Sequence, residues 1–297
     1  MDIFSTTVRY KLILAFASFS SLAHADLPLS LDELLTHQKQ IRLELGLTYA
    51  NSQYKGLVSG EPVLIQVSPA QFVTVPSQIG ESNSFSDTQV FTLGGRYGVN
   101  SRTEIYSRLS AISTQNRRIV FNQPQYQQDD YVSDLWVGVN HVFIQEGKNP
   151  ALLAFAELAA YEATPSESDS AKSLLIGFTT YRVSDPIVFS VTTAYRASAE
   201  RKLTNGSFYT PNNYLLLNPS IGFAVNADVT LNFGWQWRNM TASKTDDHTN
   251  GLRQTITDLT LGAGWGLSKK STVNFSLKSN LSGNEGAELG MNWVFKL

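Results

Sequence analysis

The final residues, Ala287 to Leu297, alternate between two chemistries. Leu289, Met291, Trp293, Phe295 and Leu297 fall on one face, and Glu288, Gly290, Asn292, Val294 and Lys296 on the other. Successive side chains of a β-strand point to opposite sides, so this segment presents one greasy, aromatic face and one mainly polar face. A long strand of that kind at the end of a chain is what closes a membrane β-barrel, with its apolar face against lipid and its polar face against the bore.

The same grammar recurs back through the chain. Strands are predicted at about 41–52, 86–99, 103–115, 130–144, 151–163, 171–184, 186–198, 213–225, 228–240, 254–267, 271–282 and 286–297, twelve in all. Val229, Leu231, Phe233, Trp235 and Trp237 alternate with Thr230, Asn232, Gly234, Gln236 and Arg238, and the segments around 187–196, 258–267 and 273–278 do likewise. Soluble sandwiches and lipocalin-like barrels use strands of about five or six residues, so segments of ten or more argue against them. The expected fold is all-β, a 12-stranded antiparallel transmembrane β-barrel with a short N-terminal helix.

Connections alternate in length. Short ones lie at 99–102, 146–150, 184–186, 226–228 and 268–270, rich in Gly, Pro, Asn, Asp and Ser. Long ones lie at 53–85, 116–129, 164–170, 199–212 and 241–253, with the brief 283–286 link on the same side. Short turns on one side and long loops on the other mark periplasm and exterior. Both termini then fall in the periplasm, and the address is the bacterial outer membrane. Aromatic residues gather at both heights, Tyr97, Phe143, Phe223, Trp265 and Phe295 near short turns, and Tyr49, Tyr195 and Trp237 near long loops.

The N-terminus agrees with export. Arg9 and Lys11 precede an apolar run from Leu12 to Leu22 and an A-x-A site at Ala23-His24-Ala25, the pattern of a signal peptide over 1–25. Residues 26–40 differ from the rest. Leu31, Leu34 and Leu35 recur at helical spacing, and Ser30 with Glu33 forms a capping box, which predicts a helix over 31–40. It could plug the bore, sit beneath it or be a periplasmic tail. The barrel is assigned to 41–297.

Charged residues make up only 16% of the chain and the net charge is −2, so no basic tract speaks for nucleic acid. A mean hydropathy of −0.14 is as expected of a barrel as of a soluble protein, because only alternate residues meet lipid. There is no cysteine, and His24, His37, His141 and His248 are scattered. No nucleophile motif, metal spacing or phosphate loop stands out, so the chain reads as neither an enzyme nor a cofactor protein.

If apolar faces meet lipid, the other faces line a lumen. Arg42, Glu44, Arg96, Glu104, Arg108, Asp134, Glu157, Arg196, Arg238, Asp258, Lys278 and Glu288 fall there as candidate pore-lining residues. Charges of both signs in a narrow tube either pair and brace the wall or form a mixed-sign passage that sorts solutes. The arginines and Lys278 are expected to face the acids across the bore. Gly94, Gly98, Gly262, Gly264 and Gly266 would leave room inside or let the wall bend.

The stretch Tyr97-Gly98-Val99-Asn100-Ser101-Arg102-Thr103-Glu104 resembles a turn pattern of the barrel proteins grouped as meta-pathway phenol-degradation transporters. Asp134-Leu135-Trp136-Val137-Gly138-Val139 and Asp185-Pro186-Ile187-Val188 are similar to two further motifs of that family, although Ser133 stands where the family has glycine. The resemblance implies an outer-membrane barrel passing small molecules, aromatic or hydrophobic ones among them. A weaker likeness, carried by Leu31-Asp32-Glu33-Leu34-Leu35, is to channels that export functional-amyloid subunits. The expected function is therefore a small-solute channel, with an export channel gated by the N-terminal helix and a structural barrel with a filled lumen as alternatives. The implied partners are outer-membrane lipid, the solute, the barrel-assembly machinery that inserts such proteins, and, for the export alternative, a secreted protein.

Overall fold

Twelve strands form one antiparallel sheet that closes on itself in a computed structural model, which describes residues 35–54, 63–68, 71–75, 84–120, 123–164, 167–282 and 285–297. They are β1 (Ile41–Tyr54), β2 (Ser84–Asn100), β3 (Thr103–Val120), β4 (Gln123–Ile144), β5 (Ala151–Ala163) and β6 (Ser173–Ser184). The second half comprises β7 (Ile187–Ser198), β8 (Tyr214–Ala224), β9 (Val229–Met240), β10 (Gln254–Ser268), β11 (Ser271–Asn280) and β12 (Glu285–Lys296). Each strand pairs with its neighbours in the chain. The opening C-terminal pattern closes the ring, with β12 laid against β1 from Arg42↔Lys296 to Gln53↔Glu285.

The short turns follow from their side chains. Asn100 accepts from the Arg102 amide at 2.8 Å, and Asn226 accepts from the Asp228 and Val229 amides at 2.9 and 2.8 Å. These local bonds let the chain reverse within a few residues.

The outward faces are apolar. Phe91, Phe233, Trp265 and Leu289 are each more than half exposed, as are many aliphatic neighbours to a lesser degree. Apolar area on that scale has no place in water and suits hydrocarbon. Val273 lies on this face yet is buried, because its directly opposite neighbours on the flanking strands are Trp265 and Trp293. At the short-turn end the Trp293 indole donates to Ser271 Oγ at 2.7 Å and packs on Phe295 at 4.5 Å. At the other end Tyr49 donates to Asp87 at 2.7 Å. Both are amphipathic contacts of the sort found at a membrane interface.

Three expectations change. The segment 116–129 is a strand hairpin rather than a loop. Strands β3 and β4 stay paired from Ala111↔Val132 up to Val120↔Gln123, past a register shift at Ser110/Ala111. Its polar residues lack a hydrophobic pattern because both faces project beyond the apolar belt. The connections at 199–212 and 241–253 are partly ordered too. Arg201–Lys202, Phe208–Thr210, Ser243–Thr245 and His248–Asn250 make a small four-stranded sheet over the long-loop end. Finally, residues 35–40 are not helical, whereas 31–34 lie outside the described residues. Lys39 takes a left-handed backbone (φ 65°) and Gln38 bridges to Gly98, so backbone bonding goes to the barrel wall instead of to a helical turn.

The belt assignment has a direct test. Phe233→Arg places a charge at mid-strand on the lipid face and should lower folding stability in lipid vesicles by about 2–4 kcal/mol in a urea titration. A cost below about 1 kcal/mol would mean that Phe233 does not meet hydrocarbon.

Candidate functional site

Inside the ring, period-two alternation carries polar and charged side chains into the bore. Glu44, Glu104, Arg108, Asp134, Glu157, Arg196, Arg238, Asp258, Lys278 and Glu288 are all buried, although nearly all lie on strands whose other face is exposed. Arg96 and Arg42 are on the same face, with Arg96 only 11% exposed in its side chain. In a closed barrel, side chains buried from solvent on the non-lipid face can only be packed against each other in the lumen.

Their pairing runs along the wall, which corrects the expectation of pairs across the bore. Arg96 on β2 donates to Glu44 of β1 at 2.5 Å and to Glu104 of β3 at 2.8 Å. Arg238 on β9 meets Asp258 of β10 at 3.0 Å, and Lys278 on β11 meets Glu288 of β12 at 2.8 Å. Adjacent strands lie about 4.8 Å apart, well within side-chain reach, whereas the far wall of a twelve-stranded ring is not. Arg108 is the loosest member. Its nearest acid is Glu157 at 3.8 Å, none of its nitrogens makes a hydrogen bond, and its guanidinium sits 5.7 Å from the Trp136 ring centre.

Glu162 and Arg201 belong to this set but escape a period-two reading. Arg196 donates to Glu162 at 2.5 Å, and Arg201, from the small outer sheet, donates to its other oxygen at 2.7 Å. Both arginines also reach Ser173 Oγ, at 2.9 and 3.1 Å. Counting by twos from Glu157 points Glu162 outward; a register shift opposite Leu135/Trp136 turns it in. Trp136, by contrast, was legible, since it stands two residues from the inward Asp134. It joins Phe155, Leu175, Tyr214, Leu216, Met240 and Ile256 in an apolar cluster inside the barrel, where Leu216 has no exposed surface and Leu175 1%. With charges and apolar groups both packed to a few per cent exposure, no water-wide gap runs beside these groups at this level.

The segment before β1 contributes to the filling. The Lys39 amide donates to the Gly98 carbonyl at 2.7 Å and the Gly98 amide to the Gln40 carbonyl at 3.1 Å, which turns the chain back into the bore. There the Thr36 amide donates to Glu104 Oε2 at 2.7 Å, and Leu35 is buried in the apolar cluster. Gly98 does not leave empty room. A Cβ there would stand 2.0 Å from the His37 carbonyl oxygen, so only glycine lets the two backbones touch.

Outside, a groove of about 800 Å³ runs over Gly95, Ser107 and Ala156 between Tyr97, Val137 and Leu174. Half of its lining is aliphatic, from Ile41, Ile105, Val137, Val139, Ala156, Leu158 and Leu174, and at its floor it meets Arg96, Tyr106 and Glu157 of the interior. Among the described residues no group of three His, Asp or Glu could hold a metal ion.

With this geometry in view, known structures share it. The chain superposes on the COG4313 outer membrane channel from Pseudomonas putida F1 with a TM-score of 0.63, covering 89% of this chain and 98% of that one at 10% identity. It also matches the translocator domain of the autotransporter NalP from Neisseria meningitidis, with a TM-score of 0.55, 8% identity, and 88% and 90% of the two chains covered. What is shared is the barrel. No family model and no curated protein matches the sequence.

Two substitutions test the interior. Arg238→Met should cost about 3–5 kcal/mol, because Asp258 is left as a buried acid without its cation, and adding Asp258→Leu should recover at least half of that. Urea unfolding of the single and double variants in vesicles measures both; a double variant no better than the single would show that the pair is uncoupled. Separately, Gly98→Val should eject the segment at 36–40. In the cysteine-free chain carrying Thr36→Cys, at a position only 3% exposed, maleimide labelling should then accelerate at least tenfold, and an unchanged rate would show that the segment does not depend on Gly98.

Proposed function

We propose that the chain is an outer-membrane channel for small solutes, captured here with its bore filled. The observation that carries this reading is that part of the filling, the buried Leu35 and Thr36, comes from outside the sheet and is held, among the described residues, by backbone bonds at Gly98 and by the Thr36–Glu104 bond. A barrel whose lumen needed only bracing has its own inward side chains for that; a segment entering from one end can leave again without unpairing a strand. Residues 41–297 form the channel, 1–25 the export signal and 26–40 the segment that enters the bore. The short-turn end faces the periplasm, which puts both termini there and the small outer sheet on the exterior. The solute and membrane lipid are the immediate partners, and the barrel-assembly machinery is the partner for insertion. The twelve inward residues from Arg42 to Glu288, with Glu162 and Arg201, line the passage and set its polarity.

The packing of Leu175, Leu216, Arg238 and Gln236 to 2% exposure or less favours a second reading, a structural barrel with a permanently filled lumen. Export of a polypeptide fits less well, since the apolar cluster around Leu175 and Leu216 packs into the bore and a polypeptide would have to displace it.

Planar-bilayer recording separates these. The full chain should show small or rare openings, and a chain lacking residues 26–40 should conduct several-fold more. Absence of conductance in both would remove the channel reading and leave the structural barrel. Equal conductance would keep the channel and remove the gating role of the segment.

A further inference from the structure

The interior is not uniformly charged. On β8 to β12, at the short-turn side of the Arg238–Asp258 and Lys278–Glu288 pairs, every inward position down to Lys296 is uncharged. Asn218, Asn232, Thr260, Asn274, Ser276 and Asn292 point into this sector, interleaved with Gly262, Gly264 and Gly290, against which the neighbouring polar side chains pack. Facing is fixed by the neighbours. A Cβ on Gly262 would stand 3.3 Å from Asn232 Cβ, and one on Gly264 would meet Thr230 Oγ1 and Asn274 Oδ1 at 2.7 and 2.9 Å. Asn274 and Asn292 stand directly opposite each other on adjacent strands.

This sector contains open space. Asn232 is exposed, and Asn218, Thr260, Gly262, Asn274, Ser276 and Asn292 are part-exposed, although all face the inside of a closed ring. An inward side chain can be exposed only to the lumen. The buried Gln236 and the two ion pairs above form its ceiling, so the space is a recess entered from the short-turn end.

We infer that this recess binds small, uncharged, hydroxyl-rich solutes such as monosaccharides. The inference rests on the channel reading for how such a solute travels, and on the recess alone for its binding. Asparagine amides and Ser/Thr hydroxyls each donate and accept, as sugar hydroxyls do, so the two sets can satisfy each other in several orientations. Among the described residues between those pairs and Lys296 no inward side chain offers a counter-charge, and the charges above are already paired with each other. An apolar solute would strip water from four asparagines and return no hydrogen bonds, at about 1–3 kcal/mol for each group left unpaired. This chemistry differs from the aromatic or hydrophobic cargo that the sequence resemblance implies; the apolar cluster that could greet such cargo is packed solid and presents no surface.

The test uses the full chain in a sugar-free detergent, with glucose, benzoate and arginine as probes in saturation-transfer NMR. Glucose should bind, benzoate and arginine should bind at least tenfold more weakly, and Asn232→Leu with Asn274→Leu should abolish the glucose signal. The pair Asn232→Ser with Asn274→Ser keeps a donor and an acceptor at both positions and should keep most of the signal, which separates loss of recognition from failure to fold. Benzoate binding as strong as glucose, or no glucose binding by the full chain, would overturn the inference. Swelling of proteoliposomes in iso-osmotic glucose then addresses passage. Binding without swelling in any solute would count against the channel reading and still support the recess.

Discussion

Every backbone N–H and C=O on a strand that crosses hydrocarbon must find a partner within the protein, and the rest of this structure follows from that requirement. A sheet with a free edge cannot meet it, so β12 has to return to β1, and it does so over a continuous register from Arg42↔Lys296 to Gln53↔Glu285. Closure then inverts the usual chemistry. The outside must be apolar, and polar residues can go only inward, where they are out of reach of bulk water. The charged interior is thus a consequence of the ring and not an independent feature.

Once inside, those charges are costly unless paired. The wall supplies partners from neighbouring strands, which is why Arg96 sits between Glu44 and Glu104 and Lys278 against Glu288. Pairs of this sort brace the strands against sliding, but they also fix the side chains to the wall and leave the bore's contents open to choice. Two different solutions appear. On the β1–β8 side, aromatic and aliphatic groups and the segment at 35–40 fill the space. On β8 to β12, below the level of Met240 and Ile256, short polar residues line the interior and keep part of their surface exposed. The asymmetry gives a barrel with a plugged sector and an accessible one.

How much of this was legible beforehand depends on whether the signal was local. Alternation placed all twelve strands and the closing pair, most of them within a few residues. Two-residue counting also put the charges from Arg42 to Glu288 on the inner face, and ten of these twelve are buried. It failed at Glu162, because a register shift on one strand flips the parity of everything beyond it, and such shifts are set by the partner strand. It missed the extension of β3 and β4, since strands beyond the belt need no apolar face. The helix over 31–40 was plausible on spacing and capping, yet residues 35–40 bond to Gly98 and Glu104 instead; Gly98 itself read as spare room when it is a contact.

The sequence by itself determined the class of object: strand number, the order of short and long connections, which face meets lipid, and the mixed polarity of the interior. These are properties of period and composition, carried by each strand separately. Only the tertiary structure decided which acid each arginine holds, that Arg201 and Arg196 share Glu162, that the chain ahead of β1 turns back into the bore, and where open space remains. Those depend on register and on contacts between residues far apart in the chain, such as Thr36 with Glu104, and closing the ring is what brings them within reach of each other.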